Sequence, residues 1–257
     1  MTHAKPLLRT VAIAGAAMFA IAVPVTQFAM GVTPTGQTDL VRDGDTTLEA
    51  AGYAFSIWGL IYAGMLAYAI YQALPSTRET PGLRTLGWPS VAAMAGCGLW
   101  LIAAVYDLKL ATMVIIIGSA ATLCIPLLRR YPAQNRIDFW LVAAPLSMLA
   151  GWLTVASAIN TLTVLTGWGF INASTAPGWA AGGVIVVALV AAAIVAASRN
   201  WIYPLPVAWG LAAVWVAEQT DRPNVAILAA AGAAVLVATA IWVGTHRRVM
   251  LPLPRQQ

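Results

Sequence analysis

Eight long apolar stretches, separated by short polar loops and prolines, constrain this sequence more than any other feature. A helix that crosses a bilayer needs about 20 mostly apolar residues. Only 9% of the residues are Asp, Glu, Lys or Arg, whereas a soluble domain normally carries about a quarter. We therefore predict an all-α polytopic membrane protein with about eight transmembrane helices. The predicted spans are residues 8–30, 50–74, 88–106, 110–128, 139–165, 178–198, 202–218 and 224–244.

The basic residues predict the orientation of these helices. If the N-terminus is cytoplasmic, eleven of the fourteen Lys and Arg residues fall in cytoplasmic segments, which fixes the orientation strongly. The basic pair Arg247-Arg248 must return to the side of Lys5, which favours an even number of spans. We predict a multi-pass protein of the cytoplasmic (inner) membrane with both termini cytoplasmic. The net charge of +5 thus reflects topology and does not indicate a nucleic-acid partner.

The first apolar run has a second interpretation. Lys5 and Arg9 precede it, as basic residues precede the apolar core of a signal peptide. The run is longer than twenty residues, which favours a membrane helix over a cleaved signal.

Few residues in the spans suit catalysis or metal binding. Both cysteines, Cys97 and Cys124, lie in apolar runs without the spacing of a disulfide framework or a metal site. His3 and His246 lie at cytoplasmic ends. We therefore expect no enzymatic activity, no metal and no required cofactor. The serines within the spans are expected to donate to backbone carbonyls: Ser56, Ser119, Ser147 and Ser157.

The second span presents aromatic rings on one face. Phe55, Trp58 and Tyr62 are three or four residues apart, so they lie above one another on a helix. At the start of this span, Thr46 and Glu49 have the spacing of a capping box. Flat rings and a Tyr hydroxyl are suited to lining a ligand pocket. The alternative is helix packing or a place in the interfacial aromatic belt.

The fifth span has a similar face. Trp152, Ala156 and Asn160 are spaced by four residues and share one side of the helix. Ala156 allows close approach of a ligand or a helix, and the Asn160 amide both donates and accepts hydrogen bonds. Packing between helices explains the same pattern. For Trp100 in the third span, we favour packing, with a pocket role as the alternative.

Three short motifs stand out in these spans: GYAFSIWGLIY at residues 52–62, WLTVASAIN at residues 152–160, and Leu99-Trp100. Together they resemble the TspO/MBR family of tryptophan-rich sensory, translocator-protein-like proteins. The first resembles the family run G-x-x-F-x-x-x-W-x-x-L-Y, with one residue fewer before the Trp. Residues 152–160, WLTVASAIN, resemble W-x-x-F-A-x-x-L-N, and Leu99-Trp100 is similar to the end of N-A-L-W. Eleven tryptophans also fit this family.

The resemblance covers residues 8–165 and implies two parts of the chain. Residues 1–166 are predicted to form a TspO-like five-helix membrane domain, and residues 167–257 three additional transmembrane helices and a basic tail. The implied function is binding, and sensing or transporting, a hydrophobic planar ligand such as a tetrapyrrole or porphyrin. The expected partners are this porphyrin-like or lipid-like molecule, membrane lipids and a possible second copy in a homodimer. The candidate ligand-binding residues are Phe55, Trp58, Tyr62, Trp100, Trp152, Ala156 and Asn160.

Two other functions fit the sequence. Eight spans and the prolines Pro24 and Pro145, which are predicted to kink their helices, are also typical of a secondary transporter for a neutral small molecule. The last three helices are also consistent with a membrane scaffold or chaperone that docks a partner.

Overall fold

The computed structural model describes residues 4–32, 47–78, 80–128 and 135–246. Its described part is all-helical, which confirms the predicted class, and seven of its helices are long and apolar enough to cross a membrane. The helix Pro204–Glu218 is apolar but has only 15 residues. The eight helices are α1 (Ala4–Ala29), α2 (Ile57–Ala73), α3 (Pro81–Val105), α4 (Lys109–Leu127), α5 (Arg136–Gly167), α6 (Ala176–Ser198), α7 (Pro204–Glu218) and α8 (Pro223–Thr245).

The first five helices close a ring. α1 packs against α2 and α3, α3 packs against α4, and α4 packs against α5, which returns to α2. α6 and α7 cover the opposite side of α5, and α8 packs against both of them. In α5, 72% of the residues in its most apolar 18-residue stretch are buried, against 28–44% in the corresponding stretches of the other six long spans. α5 is therefore the central helix, and it touches both groups of helices.

The central helix is irregular near Pro145. It opens with one α-helical turn, Arg136–Asp138, followed by a π-helical turn, Phe139–Ala143. A proline has no N–H to continue the regular hydrogen-bond ladder, and local π geometry is one way that membrane helices accommodate this. The irregular turn thus lies where the sequence predicts a disturbance.

The second span starts at Gly52, within two residues of its predicted start, but its first turn is 3-10 rather than α-helical. Thr46 lies outside the described residues, so the proposed capping box cannot be seen. Regular α-helix begins only at Ile57, after a 3-10 turn at Gly52–Ser56, and residues 47–51 are not helical. We call residues 47–56 the entry segment, because the chain passes through it into α2.

The entry segment runs antiparallel beside α7. The Ala51 N–H donates to the Ala213 carbonyl over 3.0 Å, and the Trp209 indole N–H donates to the Ala54 carbonyl over 3.0 Å. Non-helical backbone is tolerated at membrane depth only where protein or water satisfies its polar groups. α7 supplies these partners, which explains how the chain departs from helix here.

Which end of the bundle faces the cytoplasm stays a prediction from the basic residues. We use "outer" for the end that this prediction places outside. The entry segment, the C-terminus of α5 and the C-terminus of α7 all lie at that end.

Candidate functional site

Aromatic rings of α2 and α5 face each other inside the ring of helices. The Trp58 ring stacks on Tyr62, with centroids 5.1 Å apart and planes 28° from parallel. Trp152 meets Trp58 edge to face at 6.4 Å and Phe55 edge to face at 6.0 Å. These distances fall in the range of favourable aromatic pairs. Spacing of three and four residues on two separate helices therefore produces one continuous aromatic cluster.

A polar chain links the third, fourth and fifth helices beside these rings. The Trp100 indole N–H donates to Asn160 Oδ1 over 3.1 Å, and Asn160 Nδ2 donates to Thr112 Oγ1 over 3.4 Å. Asn160 is only 6% exposed, so these bonds replace those it would make with water. Thr112 was not among the predicted residues, because nothing in its local sequence indicates a partner 48 residues away.

We call the seven predicted residues together the aromatic site. The structure joins Phe55, Trp58, Tyr62 and Trp152 through ring contacts and Trp100 to Asn160 through a hydrogen bond, and Ala156 lies on α5 between Trp152 and Asn160. Trp152 and Asn160 are buried, whereas Trp58, Tyr62, Trp100 and Ala156 are half-buried. Phe55 is 37% exposed. The half-buried rings retain surface that a bound molecule can cover.

The inner half of the ring is packed more tightly. Met65, Met94 and Leu149 are fully buried there. Tyr68 is also fully buried, and its hydroxyl hydrogen-bonds to Ser90 Oγ over 2.9 Å. Tyr68 is thus buried in the bundle, whereas Trp58, Tyr62 and Trp100 are only half-buried.

An ion pair at the outer end holds the entry segment, and the sequence argument missed it. Glu218, which is 3% exposed, accepts from the Glu49 N–H over 2.9 Å and lies 3.1 Å from Arg222 Nη1. The same Arg222 nitrogen donates to the Thr47 carbonyl over 2.8 Å. The available signal was an acid and a base four residues apart at a helix end, in a chain with few charges.

The described residues contain no group of three or more His, Cys, Asp or Glu side chains that could hold a metal ion. Ser119, Ser147 and Ser157 donate to carbonyls four residues earlier over 2.6–2.7 Å, which confirms the prediction for these three serines. The site offers aromatic surface, one amide and a Tyr hydroxyl, which suit recognition of an apolar ring system.

Comparison with protein families identifies the chain. The model of the family described as TSPO-like protein matches residues 9–242, from the first helix into the eighth. The chain belongs to the TSPO-like protein family. It is accordingly a multi-pass membrane protein. Comparison with curated proteins and with solved structures gave no significant match.

The family match extends further than the motifs did. The motifs placed the resemblance in residues 8–165, whereas the matched region continues through α6 and α7 into α8. The division of the chain at residue 166 stays a prediction. The hydrogen bonds between α7 and the entry segment show that the last three helices contact the part of the TSPO-like chain that carries Phe55.

Proposed function

We propose that this TSPO-like protein binds a hydrophobic planar ligand of the porphyrin class in the aromatic site, in order to sense it or to transport it. The observation that carries the proposal is the pairing of Trp58 with Trp152 across the ring, 6.4 Å apart. Two helices far apart in sequence thereby place large flat rings around one point inside the membrane.

The chemistry of the site supports a flat and largely apolar ligand. Aromatic side chains stack on flat ring systems or meet them edge to face, and both arrangements are favourable. Small-molecule sites are typically apolar, with a few polar groups that fix orientation. Here those groups are the Tyr62 hydroxyl and the Asn160 amide, which Trp100 holds in place. None of the seven residues is charged.

A titration with protoporphyrin tests the proposal. The protein is purified in detergent, and the absorbance of the porphyrin is followed, so that the signal does not depend on the number of tryptophans. We expect Trp152→Phe to weaken binding about 3- to 10-fold, which corresponds to about 0.5–1.5 kcal/mol for one aromatic contact. Asn160→Ala is expected to weaken it by a similar factor.

The matched control is Trp242→Phe, because Trp242 lies on α8 and is 51% exposed. Its affinity for protoporphyrin is expected to equal that of the unmodified protein. Binding no stronger than to empty detergent micelles would rule out the porphyrin proposal. Equal affinity in Trp152→Phe, Asn160→Ala and the control would instead place the ligand away from α5.

A second measurement separates sensing from transport. Vesicles containing the protein are loaded with protoporphyrin on one side, and its appearance on the other side is timed. Flux that Trp152→Phe slows indicates transport through the aromatic site. Binding without flux indicates a sensor.

A further inference from the structure

A groove of about 920 Å³ lies on the side of α5 that faces away from the aromatic site, between α4 and α6. Its floor includes Ser157 and Thr161 of α5. At about 100° per residue, the lining positions Thr154, Ala158 and Leu165 lie about 120° or more around the helix from Trp152, Ala156 and Asn160. α5 therefore separates the groove from the aromatic site. The groove has no part in the proposed porphyrin site.

The groove lies where α4 and α6 make few contacts with each other and where α6 has two glycines. α4 and α6 both pack along α5, but they contact each other at few positions. On α6, Gly178 and Gly182 line the groove, and no atom lies within 4 Å of the position that a Cβ would take at either residue. The groove is thus open space beside the bundle, inside the segments that cross the membrane.

The lining changes in polarity along its length. Ser174, Thr175 and the half-exposed Trp179 line the outer end, and Ala121 and Val190 line deeper parts. The described lining contains no charged side chain.

The hydroxyl groups on the floor of the groove already donate hydrogen bonds within the protein. Thr154, Ser157 and Thr161 donate to backbone carbonyls four residues earlier, over 2.9, 2.7 and 2.7 Å. Their own helix therefore satisfies these donors. The groove has a polar outer mouth and an apolar interior, which is the polarity of an amphiphile with its head at the membrane surface.

We propose that the groove binds one acyl chain of a phospholipid of the adjoining leaflet, with the headgroup at the outer mouth beside Trp179. From Thr175 to Val190 the α6 wall is about 22 Å long at 1.5 Å per residue. A leaflet supplies about 15 Å of hydrocarbon, half of the core thickness. A chain that enters at the mouth therefore has room along its whole length.

The dimensions favour a lipid chain over a helix of a second copy. An α-helix with its side chains is about 10–12 Å wide. α4 and α6 contact each other at a few positions, so they do not part along their whole length to admit a helix of that width between them. An extended hydrocarbon chain is thinner than a helix and fits a narrower groove. The volume also lies within the range of about 300–1,000 Å³ that is typical of small-molecule sites.

Photocrosslinking tests the proposal directly. The protein is reconstituted with phosphatidylcholine that carries a diazirine in one acyl chain, and the crosslinked residues are mapped by mass spectrometry. Crosslinks are expected to concentrate on Ser157, Thr161 and Val186. Gly182→Leu fills the groove from α6 without meeting a neighbour, and it is expected to lower these crosslinks about tenfold.

The matched control is Gly118→Leu. Gly118 is exposed on α4, has no atom within 4 Å of its Cβ position and does not line the groove. Its crosslinks are expected to equal those of the unmodified protein. Ala121→Leu fills the groove from α4 and provides a second test if Gly182→Leu fails to fold.

Three results would overturn the proposal. One is crosslinking spread evenly over the lipid-facing residues, and another is undiminished groove crosslinking in both filling variants. The third is a dimer, measured by light scattering, that Gly182→Leu converts to a monomer without changing the crosslinks. Porphyrin affinity is expected to stay within about twofold in Gly182→Leu, so a failure at the groove and a failure at the aromatic site are distinguishable.

Discussion

The indole N–H of Trp209 in α7 donates to the Ala54 carbonyl, 3.0 Å away. Ala54 immediately precedes Phe55 in the 3-10 turn before α2, so this bond joins the last three helices to the aromatic site. The Trp209 ring also meets Tyr53 edge to face at 5.3 Å. One side chain of α7 thus contacts the entry segment through both its polar and its apolar surface.

Replacing Trp209 by Phe separates these two contacts. Phe retains an aromatic ring but cannot donate to Ala54, which leaves this carbonyl without its indole partner. We expect the free energy of unfolding to fall by about 0.5–1.5 kcal/mol, which is the usual net contribution of one hydrogen bond to stability. Hydrogen exchange of the amides in residues 47–56 should accelerate, and protoporphyrin affinity should fall about 2- to 5-fold.

Trp215→Phe is the control for this change, since Trp215 lies on the same helix and is 45% exposed. It should leave both the exchange rates and the affinity unchanged. Equal exchange in the two variants would show that α7 does not restrain the entry segment through Trp209.

Glu218 should matter for stability more than its position near a helix end suggests. It is buried, accepts from the Glu49 N–H and pairs with Arg222. Removing one partner of a buried ion pair costs about 3–5 kcal/mol. Glu218→Ala should therefore lower the unfolding temperature in detergent. Glu218→Gln, which retains an accepting oxygen, should lower it less.

Asp221→Ala serves as the comparison for Glu218→Ala, because Asp221 is an exposed acid in the same turn. Its unfolding temperature should stay close to that of the unmodified protein. If Glu218→Ala and Asp221→Ala unfold at the same temperature, the ion pair between Glu218 and Arg222 does not contribute to the stability of the fold.

The helices and the facing sides of α2 and α5 were accessible from the sequence because the signals are local. The length of an apolar run indicates that it spans the membrane, and residues four apart in sequence lie on the same side of a helix. Trp58 and Tyr62 stack for this reason. Trp152 needs only the packing of α2 on α5 to join them.

The entry segment was not predictable in the same way. Its residues are apolar enough to continue the span, so the sequence suggests helix from Ala50. The partners that favour the observed path, such as Ala213 and Trp209, lie more than 150 residues away in the chain. Thr112 was missed for a similar reason. Hydrogen bonds between distant helices leave no local pattern to read.

The bond between Trp100 and Asn160 can be measured with a double-mutant cycle. Trp100→Phe removes the donor and Asn160→Ala removes the acceptor. If the two groups act as a pair, the double variant should be about 0.5–1.5 kcal/mol more stable than the sum of the single changes predicts. Reversible unfolding of the four proteins gives this coupling energy. Additive losses would mean that the 3.1 Å contact contributes nothing to stability.

At Gly151, α5 lies so close to the backbone of Tyr203 that there is no room for a side chain. A Cβ at this position would lie 2.3 Å from the Tyr203 carbonyl oxygen, so α5 approaches the turn before α7 at its backbone. Gly151→Ala must displace that turn, and overpacking of this kind typically costs about 1–3 kcal/mol. Because the turn leads into Pro204 and α7, the displacement should also reach Trp209.

Unfolding and hydrogen exchange together check this prediction. Gly151→Ala should unfold at a lower temperature and exchange faster at residues 47–56. Gly118→Ala, with nothing within 4 Å of its Cβ, should be neutral or more stable by up to about 1 kcal/mol, since alanine favours helix over glycine. If Gly151→Ala were as stable as Gly118→Ala, α5 and the turn at Tyr203 would have to be further apart than they are here. In that case a side chain at Gly151 would not displace α7, and hydrogen exchange at residues 47–56 should stay unchanged in Gly151→Ala.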